Sequence, residues 1–183
     1  SPAPSTPPAP GTAWLGLVRG TVLVGFGTLP GTAAGMGLHL GAAHGIGSLE
    51  LRLEGWLPRT VTSREQPQMG ADLWMLTAAP AACLRGRPGD GRLRLDGCAV
   101  LEATHLRARG FGMSDPGRAA ATWGALEAEA GVAIRLAGRA TLRGAVGVSR
   151  PLVRPRFAIE HVGELHRPAR FGAGGGLAVE LGF

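Results

Sequence analysis

The last thirteen residues of the chain alternate strictly between two kinds of side chain. One face carries Phe171, Ala173, Gly175, Leu177, Val179, Leu181 and Phe183, and the other carries Gly172, Gly174, Gly176, Ala178, Glu180 and Gly182. A period of two predicts a β-strand. An apolar face opposite a face of glycine with one carboxylate, ended by an aromatic residue, suits a strand with lipid on one side and a narrow polar lumen on the other.

Similar alternation along the chain predicts eight strands, at residues 14–26, 33–43, 48–57, 71–84, 93–107, 119–136, 140–153 and 170–183. The links between them alternate in length. Those at 44–47, 85–92 and 137–139 are tight, whereas those at 58–70, 108–118 and 154–169 are longer, with 28–32 the one short member of the second set. Short turns at one end and longer loops at the other are typical of a transmembrane barrel.

The sequence therefore predicts an all-β fold, an eight-stranded antiparallel up-and-down transmembrane β-barrel with a side-chain-filled lumen, over residues 13–183 and in the bacterial outer membrane. Residues 1–12 are Pro-rich and predict an extended periplasmic lead-in. A single membrane helix through the uncharged residues 20–49 is opposed by Pro30 and by the period of two after it. A soluble barrel has the same periodicity, but the glycine face of the last strand would make a poor water-facing surface.

The interior of an eight-stranded barrel is just wide enough to be filled by side chains. The charges assigned to the lumen are Arg19, Glu50, Arg52, Glu54, Glu102, Glu127, Glu129, Arg135, Arg143 and Glu180. Buried charges must be paired and hydrogen-bonded, so we expect an interlocked network of Glu and Arg. Long side chains of the third and sixth strands should cross to a wall lined by the glycines of the second and last strands, leaving no continuous water path.

The two cysteines, Cys83 and Cys98, lie symmetrically about the turn-forming pair Asp90–Gly91. Seven residues on either side bring them opposite each other on neighbouring strands, which predicts a disulfide in the oxidising periplasm. No CxxC motif and no His at ligand spacing accompanies them. The sequence therefore predicts no metal site and no cofactor.

The net charge of +6 comes from arginine alone among the basic residues, because the chain contains no Lys. The arginines are scattered over nearly every segment instead of lying beside stacking aromatics on one element, which argues against nucleic-acid binding. Several fall at or beyond the predicted outer rim: Arg59, Arg64, Arg107, Arg109, Arg118, Arg150, Arg154, Arg156, Arg167 and Arg170. Their guanidinium groups suit the phosphates of lipopolysaccharide, so outer-membrane lipid is the expected partner.

The final strand resembles the C-terminal assembly signal of bacterial outer-membrane β-barrels, with Leu177, Val179, Leu181 and the terminal Phe183. That resemblance implies recognition by the barrel assembly machinery. The central hairpin, residues 83–88 (CLRGRP) and 93–103 (LRLDGCAVLEA), and residues 154–168 (RPRFAIEHVGELHRP) resemble a family of uncharacterised outer-membrane β-barrel proteins from GC-rich Gram-negative bacteria. In size the chain is similar to the small OmpA-type and OmpX-type barrels. The resemblance implies the fold and the location, and no ligand or activity.

Three functions are compatible with such a barrel. The first is a structural or loop-mediated interaction role for a monomer without an open pore, and the second is a narrow channel for ions or very small solutes. The third is a lipid-modifying enzyme, which would need a nucleophile beside a His and an orienting carboxylate. The candidates are His105 with Ser114 and Asp115, or Ser149 with His161 or His166. None has a recognisable spacing, so no catalytic residue is assigned.

Overall fold

The computed structural model describes residues 14–63, 66–88, 92–112, 117–159 and 163–183. Eight strands form the barrel: β1 (Leu15–Phe26), β2 (Thr32–His44), β3 (Gly47–Thr62), β4 (Gly70–Gly86), β5 (Leu93–Phe111), β6 (Arg118–Arg135), β7 (Ala140–Pro151) and β10 (Gly172–Gly182). Two short strands, β8 (Phe157–Ile159) and β9 (Gly163–His166), pair with each other. The predicted Pro-rich lead-in at residues 1–12 lies outside the described residues.

Strands adjacent in the chain pair antiparallel around the barrel, and β10 closes it by pairing with both β7 and β1. This confirms the predicted eight-stranded up-and-down barrel. Residues 20–49 form parts of three strands instead of one helix. No helix within the described residues is long and apolar enough to cross a membrane.

Three parts of the predicted loops are strand in the structure, besides shifts of one or two residues at strand ends. β3 continues to Thr62 through Pro58, after a register shift between Trp56 and Arg59. A bulge of this kind accommodates a proline, which cannot donate to the ladder, and the β-favouring residues Thr60, Val61 and Thr62 then pair with β4. The second difference is at residues 108–111, which belong to β5, and the third is the hairpin of β8 and β9, which lies within the predicted loop 154–169.

The barrel has two dissimilar ends. At the turn end, residues 45–46, 87–92 and 136–139 connect the strands, and Gly45 adopts a φ of 57° in the tightest of these turns. At the loop end the connections are residues 27–31, 63–69, 112–117 and 152–171. The loop end is also uneven, because β3 to β6 have 16, 17, 19 and 18 residues while β1, β2, β7 and β10 have 12, 13, 12 and 11.

The exterior of the barrel is apolar and the interior holds most of the strand charges. Exposed side chains on the outer face include Val22, Leu38, Leu51, Leu76, Leu101, Leu126, Val132, Leu142, Val146, Leu177 and Val179. Arg19, Glu50, Arg52, Arg143 and Glu180 are instead buried inside. A soluble barrel would reverse this distribution, so the soluble alternative is excluded; an apolar exterior of this extent requires lipid around it.

Candidate functional site

Eight charged side chains form a closed ring across the lumen in the half nearer the turn end. In the order of their contacts they are Glu50, Arg19, Glu180, Arg94, Asp96, Arg143, Glu129 and Arg52, and Arg52 returns to Glu50. We call this set the lumen ring. Its members come from β1, β3, β5, β6, β7 and β10, so the ring ties opposite walls of the barrel together.

Arg19 is the most deeply buried member, with 1% of its surface exposed. Its guanidinium is bidentate to Glu50, with N–O distances of 3.0 and 3.1 Å, and its Nη2 also lies 2.6 Å from Glu180 Oε2. Arg94 donates two further hydrogen bonds to Glu180, of 2.5 and 3.0 Å. Bidentate geometry of this kind gives the strongest ion pairs in proteins and fixes their orientation.

The other half of the lumen ring runs through β5, β6 and β7. Arg94 Nε lies 3.6 Å from Asp96 Oδ2, and Arg143 donates both to Asp96 and, over 2.8 Å, to Glu129. Arg52 donates to Glu129 over 2.9 Å and to Glu50 over 3.4 Å, which closes the circuit.

The charges of the lumen ring sum to zero, because its four guanidinium groups are paired with four carboxylates. Arg85 adds one more positive charge from β4 by donating to Glu50 Oε1 over 3.1 Å. Glycine makes room for the long side chains: a Cβ at Gly131 would lie 2.6 Å from Arg143 Nη2, and one at Gly41 would lie 3.0 Å from Glu50 Cγ. Each buried charge therefore depends on its neighbours, since desolvation of an unpaired charge costs several kcal/mol.

Six of the ten charges assigned to the lumen from sequence lie in the lumen ring: Arg19, Glu50, Arg52, Glu129, Arg143 and Glu180. Sequence reasoning missed Arg94, Asp96 and Arg85, although the outward-facing Leu93 and Leu95 placed Arg94 between them on the inner face. The assignment of Arg135 was wrong. Arg135 is the last residue of β6 and still pairs with Thr141 of β7, but its side chain is exposed at the turn end.

The remaining three assigned charges, Glu54, Glu102 and Glu127, line a cavity of about 90 Å³ between the lumen ring and the loop end. His39 Nε2 lies 3.4 Å from Glu54 Oε1, while Glu102, Glu129 and Glu54 are the acidic neighbours of Glu127. No arginine among the described residues forms an ion pair with Glu54, Glu102 or Glu127. This level of the lumen therefore carries unbalanced acidic groups.

The expectation that charged side chains cross the lumen to a wall of glycines is correct only in part. A Cβ at Gly147 would lie 2.7 Å from Glu127 Oε1, and one at Gly37 would lie 3.1 Å from Glu54 Cγ, so these glycines do admit charged side chains. Gly174 and Gly176 of β10 instead border the cavity. A volume of this size accommodates a few water molecules.

An apolar cluster fills the lumen between the cavity and the loop end. Its buried members are Leu29, Ala33, Ala71, Leu73, Met75, Leu106, Trp123 and Phe157, and we call this cluster the apolar plug. Leu73 and Leu106 are fully buried. Leu29 comes from the link between β1 and β2, and Phe157 comes from β8, so loop residues complete the plug. The bore is thus filled at two levels, one charged and one apolar.

Cys83 and Cys98 form a disulfide and lie directly opposite each other on β4 and β5. This confirms the predicted bond; the turn pair Asp90–Gly91 lies outside the described residues. Asp96, Cys98 and Glu129 bring three potential metal-ligand atoms within 4.8 Å of one another. The sulfur is in the disulfide, and both carboxylates are bonded to Arg143, so this group lacks the chemistry of a metal site.

The residues considered for catalysis have other partners. His105 Nδ1 lies 2.8 Å from Thr122 Oγ1, and its Nε2 accepts from Arg107 Nε over 3.2 Å. His166 Nε2 donates to the Thr28 carbonyl over 2.8 Å, and burial lowers the pKa of this imidazole despite that bond. Ser149 lies inside the barrel against Gly172. Ser114, Asp115 and His161 lie outside the described residues.

The arginines assigned to the outer rim lie at the loop end, apart from Arg64, which is outside the described residues. Arg107 lies over the Trp74 ring at 5.8 Å, and Arg150 lies over the Phe171 ring at 6.0 Å. The others contact loops or are exposed: Arg59 bonds to the Pro30 carbonyl, Arg154 to the Pro168 carbonyl and Arg156 to Glu164, and Arg109, Arg118, Arg167 and Arg170 are exposed.

The residues assigned to the assembly signal face outward at the turn end of β10. Leu177, Val179, Leu181 and Phe183 are all exposed on the apolar exterior. Phe183 and Gly16 exchange two backbone hydrogen bonds of 2.8 and 2.9 Å, so the last residue extends the pairing of β10 with β1.

No protein-family model and no curated protein matches the sequence. Solved structures do match the fold. The barrel is similar to a major outer membrane protein from Thermus thermophilus, with a TM-score of 0.62 at 9% identity over 91% of this chain and 99% of that chain. It is also similar to Ail, the attachment invasion locus protein of Yersinia pestis, in complex with the heparin analogue sucrose octasulfate. That match has a TM-score of 0.54 at 11% identity and covers 93% of this chain and 97% of Ail.

The closed barrel, its apolar exterior and its charged interior together define an outer-membrane β-barrel, and its location is the bacterial outer membrane. In such barrels the short turns face the periplasm and the long loops face the cell exterior. The turn end is therefore periplasmic and the loop end is extracellular. The narrower resemblance to a family from GC-rich Gram-negative bacteria stays a prediction.

Proposed function

We propose that the chain is a non-conducting outer-membrane barrel whose role is structural or is exercised at its loop end. The observation that carries this proposal is the double filling of the bore by the lumen ring and the apolar plug. An eight-stranded barrel has little interior space, and side chains from opposite walls occupy both levels. A narrow ion channel is less favoured, because the cavity between these levels is bounded by charged pairs below and apolar side chains above.

The unequal strand lengths support an interaction role at the loop end. β3 pairs with β2 only as far as Trp56, and β6 pairs with β7 only from Ala125. The wall formed by β3 to β6 therefore extends beyond the rest of the barrel, and Arg118 to Trp123 pair with β5 alone in the described part of the chain. Unpaired strand edges and exposed arginines are features by which a surface contacts partners.

The arginines of the loop end favour anionic partners. Ail was solved with a sulfated polyanion, and the loop-end arginines give this chain groups of complementary charge. Lipopolysaccharide phosphates are the nearest such groups in the outer leaflet. The barrel assembly machinery is proposed as the partner of the C-terminal signal, and no catalytic, nucleic-acid-binding or oligomeric role is proposed.

Conductance in planar bilayers tests the closed bore. Purified protein inserted into the bilayer should give no ion current above that of lipid alone. Stepwise openings of the unmodified protein would contradict the proposal and favour the narrow channel.

Binding of sucrose octasulfate tests the anionic partner. The protein in detergent should bind this probe with an affinity that falls as salt rises, because the contacts are ionic. Replacing Arg167 and Arg170 with Gln should weaken binding, whereas Arg139→Gln, an exposed arginine of the turn end, should not. Equal effects of the two changes would contradict a role for the loop end.

A further inference from the structure

Three arginines lie together on the lipid-facing exterior, where β5 and β6 approach the loop end. Arg107 and Arg109 are on β5, and Arg118 is on β6. Alternation places all three on the same outer face as Leu101 and Leu126, and all three are exposed. We call Arg107, Arg109 and Arg118 the rim patch.

The guanidinium of Arg107 is held in place by its neighbours. It lies over the Trp74 ring at 5.8 Å, and its Nε donates to His105 Nε2 over 3.2 Å. His105 in turn contacts Thr122 Oγ1 through Nδ1 over 2.8 Å. Among the described residues no hydrogen-bond partner meets the Nη groups of Arg107, so they can donate to a ligand. A positioned guanidinium loses less conformational entropy when it binds an anion.

Arg109 and Arg118 are directly opposite each other in the antiparallel pairing of β5 and β6. Like charges at directly opposite positions of a sheet repel each other. Among the described residues no carboxylate forms an ion pair with any arginine of the rim patch. Asp72 lies opposite Arg109 on the other side, but its Oδ1 accepts from the Thr60 hydroxyl over 2.6 Å. An anion between Arg109 and Arg118 would offset the repulsion.

Below the rim patch, past His105 and Thr122, the surface is apolar. Leu76, Leu101 and Leu126 are exposed on the same outer face, and 37% of Trp74 is exposed, as is typical of a residue at the membrane interface. A ligand of this surface therefore needs an anionic group at the height of the arginines and hydrocarbon alongside the leucines. A soluble anion satisfies only the first requirement.

We propose that the rim patch binds a phosphate of an outer-leaflet glycolipid whose acyl chains lie against Leu76, Leu101 and Leu126. Arg109 and Arg118 donate to one phosphate from two sides, and Arg107 donates from the positioned guanidinium beside Trp74. This site deepens the proposed function and rests on it only for the assignment of the loop end to the outer leaflet.

Native mass spectrometry of the detergent-solubilised protein with bisphosphorylated lipid A tests the site. The double variant Arg109→Gln/Arg118→Gln should bind this lipid about tenfold more weakly or worse, because it loses two charge-assisted hydrogen-bond donors. Arg135→Gln/Arg139→Gln is the matched control, since it also removes two exposed arginines but at the turn end, away from the rim patch. That variant should bind within about twofold of the unmodified protein.

Two further arms separate the lipid from a free phosphate. Lipid A stripped of its phosphates should lose affinity for the unmodified protein and show no difference between that protein and the double variant. Inorganic phosphate at millimolar concentration should not displace bisphosphorylated lipid A. The proposal is overturned if Arg109→Gln/Arg118→Gln binds like the unmodified protein, if Arg135→Gln/Arg139→Gln weakens binding equally, or if inorganic phosphate competes. These outcomes leave the conductance test untouched, so failure of this site is distinguishable from failure of the closed barrel.

Discussion

The two halves of the lumen are filled by different chemistry. Toward the periplasm, the lumen ring joins eight charges whose positions are fixed by ion pairs between strands. Toward the exterior, the apolar plug fills the bore with side chains that need only the right volume. The first arrangement depends on strand register and on every partner being present, because an unpaired buried charge is costly. The second tolerates exchange of one apolar residue for another.

The largest effect is expected from breaking the lumen ring at Arg19. Arg19→Ala leaves Glu50 and Glu180 without their shared partner, which should lower the free energy of unfolding by about 3–5 kcal/mol. Denaturant unfolding in detergent, followed by tryptophan fluorescence, measures this change. Arg135→Ala is the control, since that arginine is exposed and its loss should stay within about 0.5 kcal/mol. Equal stability of the two variants would contradict the structural role of the ring.

The stability that the apolar plug contributes should depend on the volume of its side chains and little on which apolar residue provides that volume. Leu106→Ala removes a fully buried side chain and should cost about 2–5 kcal/mol, whereas Leu106→Met should cost less than about 1.5 kcal/mol. In the lumen ring the similar conservative change, Arg19→Lys, should remain costly, because an ammonium group cannot bond both carboxylates as the planar guanidinium does. The same unfolding assay makes the comparison. If Arg19→Lys kept the stability of the unmodified protein while Leu106→Met lowered it, the proposed difference between the two halves would be reversed.

Glu127 and Glu129 lie two residues apart on the inner face of β6 and provide a matched pair. Glu129 bonds Arg52 and Arg143, so Glu129→Gln should destabilise the barrel by about 3 kcal/mol or more. Glu127 faces other acids and is paired with no arginine among the described residues, so Glu127→Gln leaves no buried charge without its partner and should change stability by no more than about 1 kcal/mol. A larger loss from Glu127→Gln than from Glu129→Gln would show that the boundary between the two levels is misplaced.

The smallest effect is a local pH dependence at the loop end. Burial lowers the pKa of His166 below its ordinary value, so its imidazole is neutral where it donates to the Thr28 carbonyl. Docking of the β8–β9 hairpin is therefore fully stabilised above the ordinary His pKa of about 6.5 and weakens as the pH falls through that value toward the lowered one. The protection factors of the hairpin amides, which are exchange rates corrected for the intrinsic rate at each pH, should fall at acidic pH in the unmodified protein. His166→Gln, which keeps a donor without titrating, should remove the dependence.

The period of two in the sequence predicted the barrel and the two faces of each strand, and the glycine face of the last strand decided which face is inward. Cys83 and Cys98 were predicted opposite each other because they lie symmetrically about the turn-forming pair Asp90–Gly91. The ring was predicted only in part, because Arg94 and Asp96 obey the alternation but were not among the charges assigned to the lumen. The apolar plug was not predicted. Its loop members Leu29 and Phe157 come from segments without a period, and only the folded chain brings them over the bore.

The rise of β3 to β6 above the other strands also escaped prediction from sequence. Pro58 indicated the start of a loop, since proline cannot donate to a ladder. The chain instead absorbs the proline in the register shift after Trp56 and resumes pairing at Arg59. A turn-forming residue such as Pro58 therefore leads to a predicted strand that is too short where a long neighbouring strand, here β4, provides hydrogen-bonding partners.

Potassium efflux from proteoliposomes tests the central claim, that two levels close the bore in series. Four proteins are compared: the unmodified chain, a ring variant with Arg19, Arg94 and Glu180 replaced by Ser, a plug variant with Leu29 and Phe157 replaced by Ala, and the combination. The unmodified protein and each variant alone should retain potassium, because the remaining level still closes the lumen, and only the combination should leak. A leaking unmodified barrel, or a combination that retains potassium, would contradict the account.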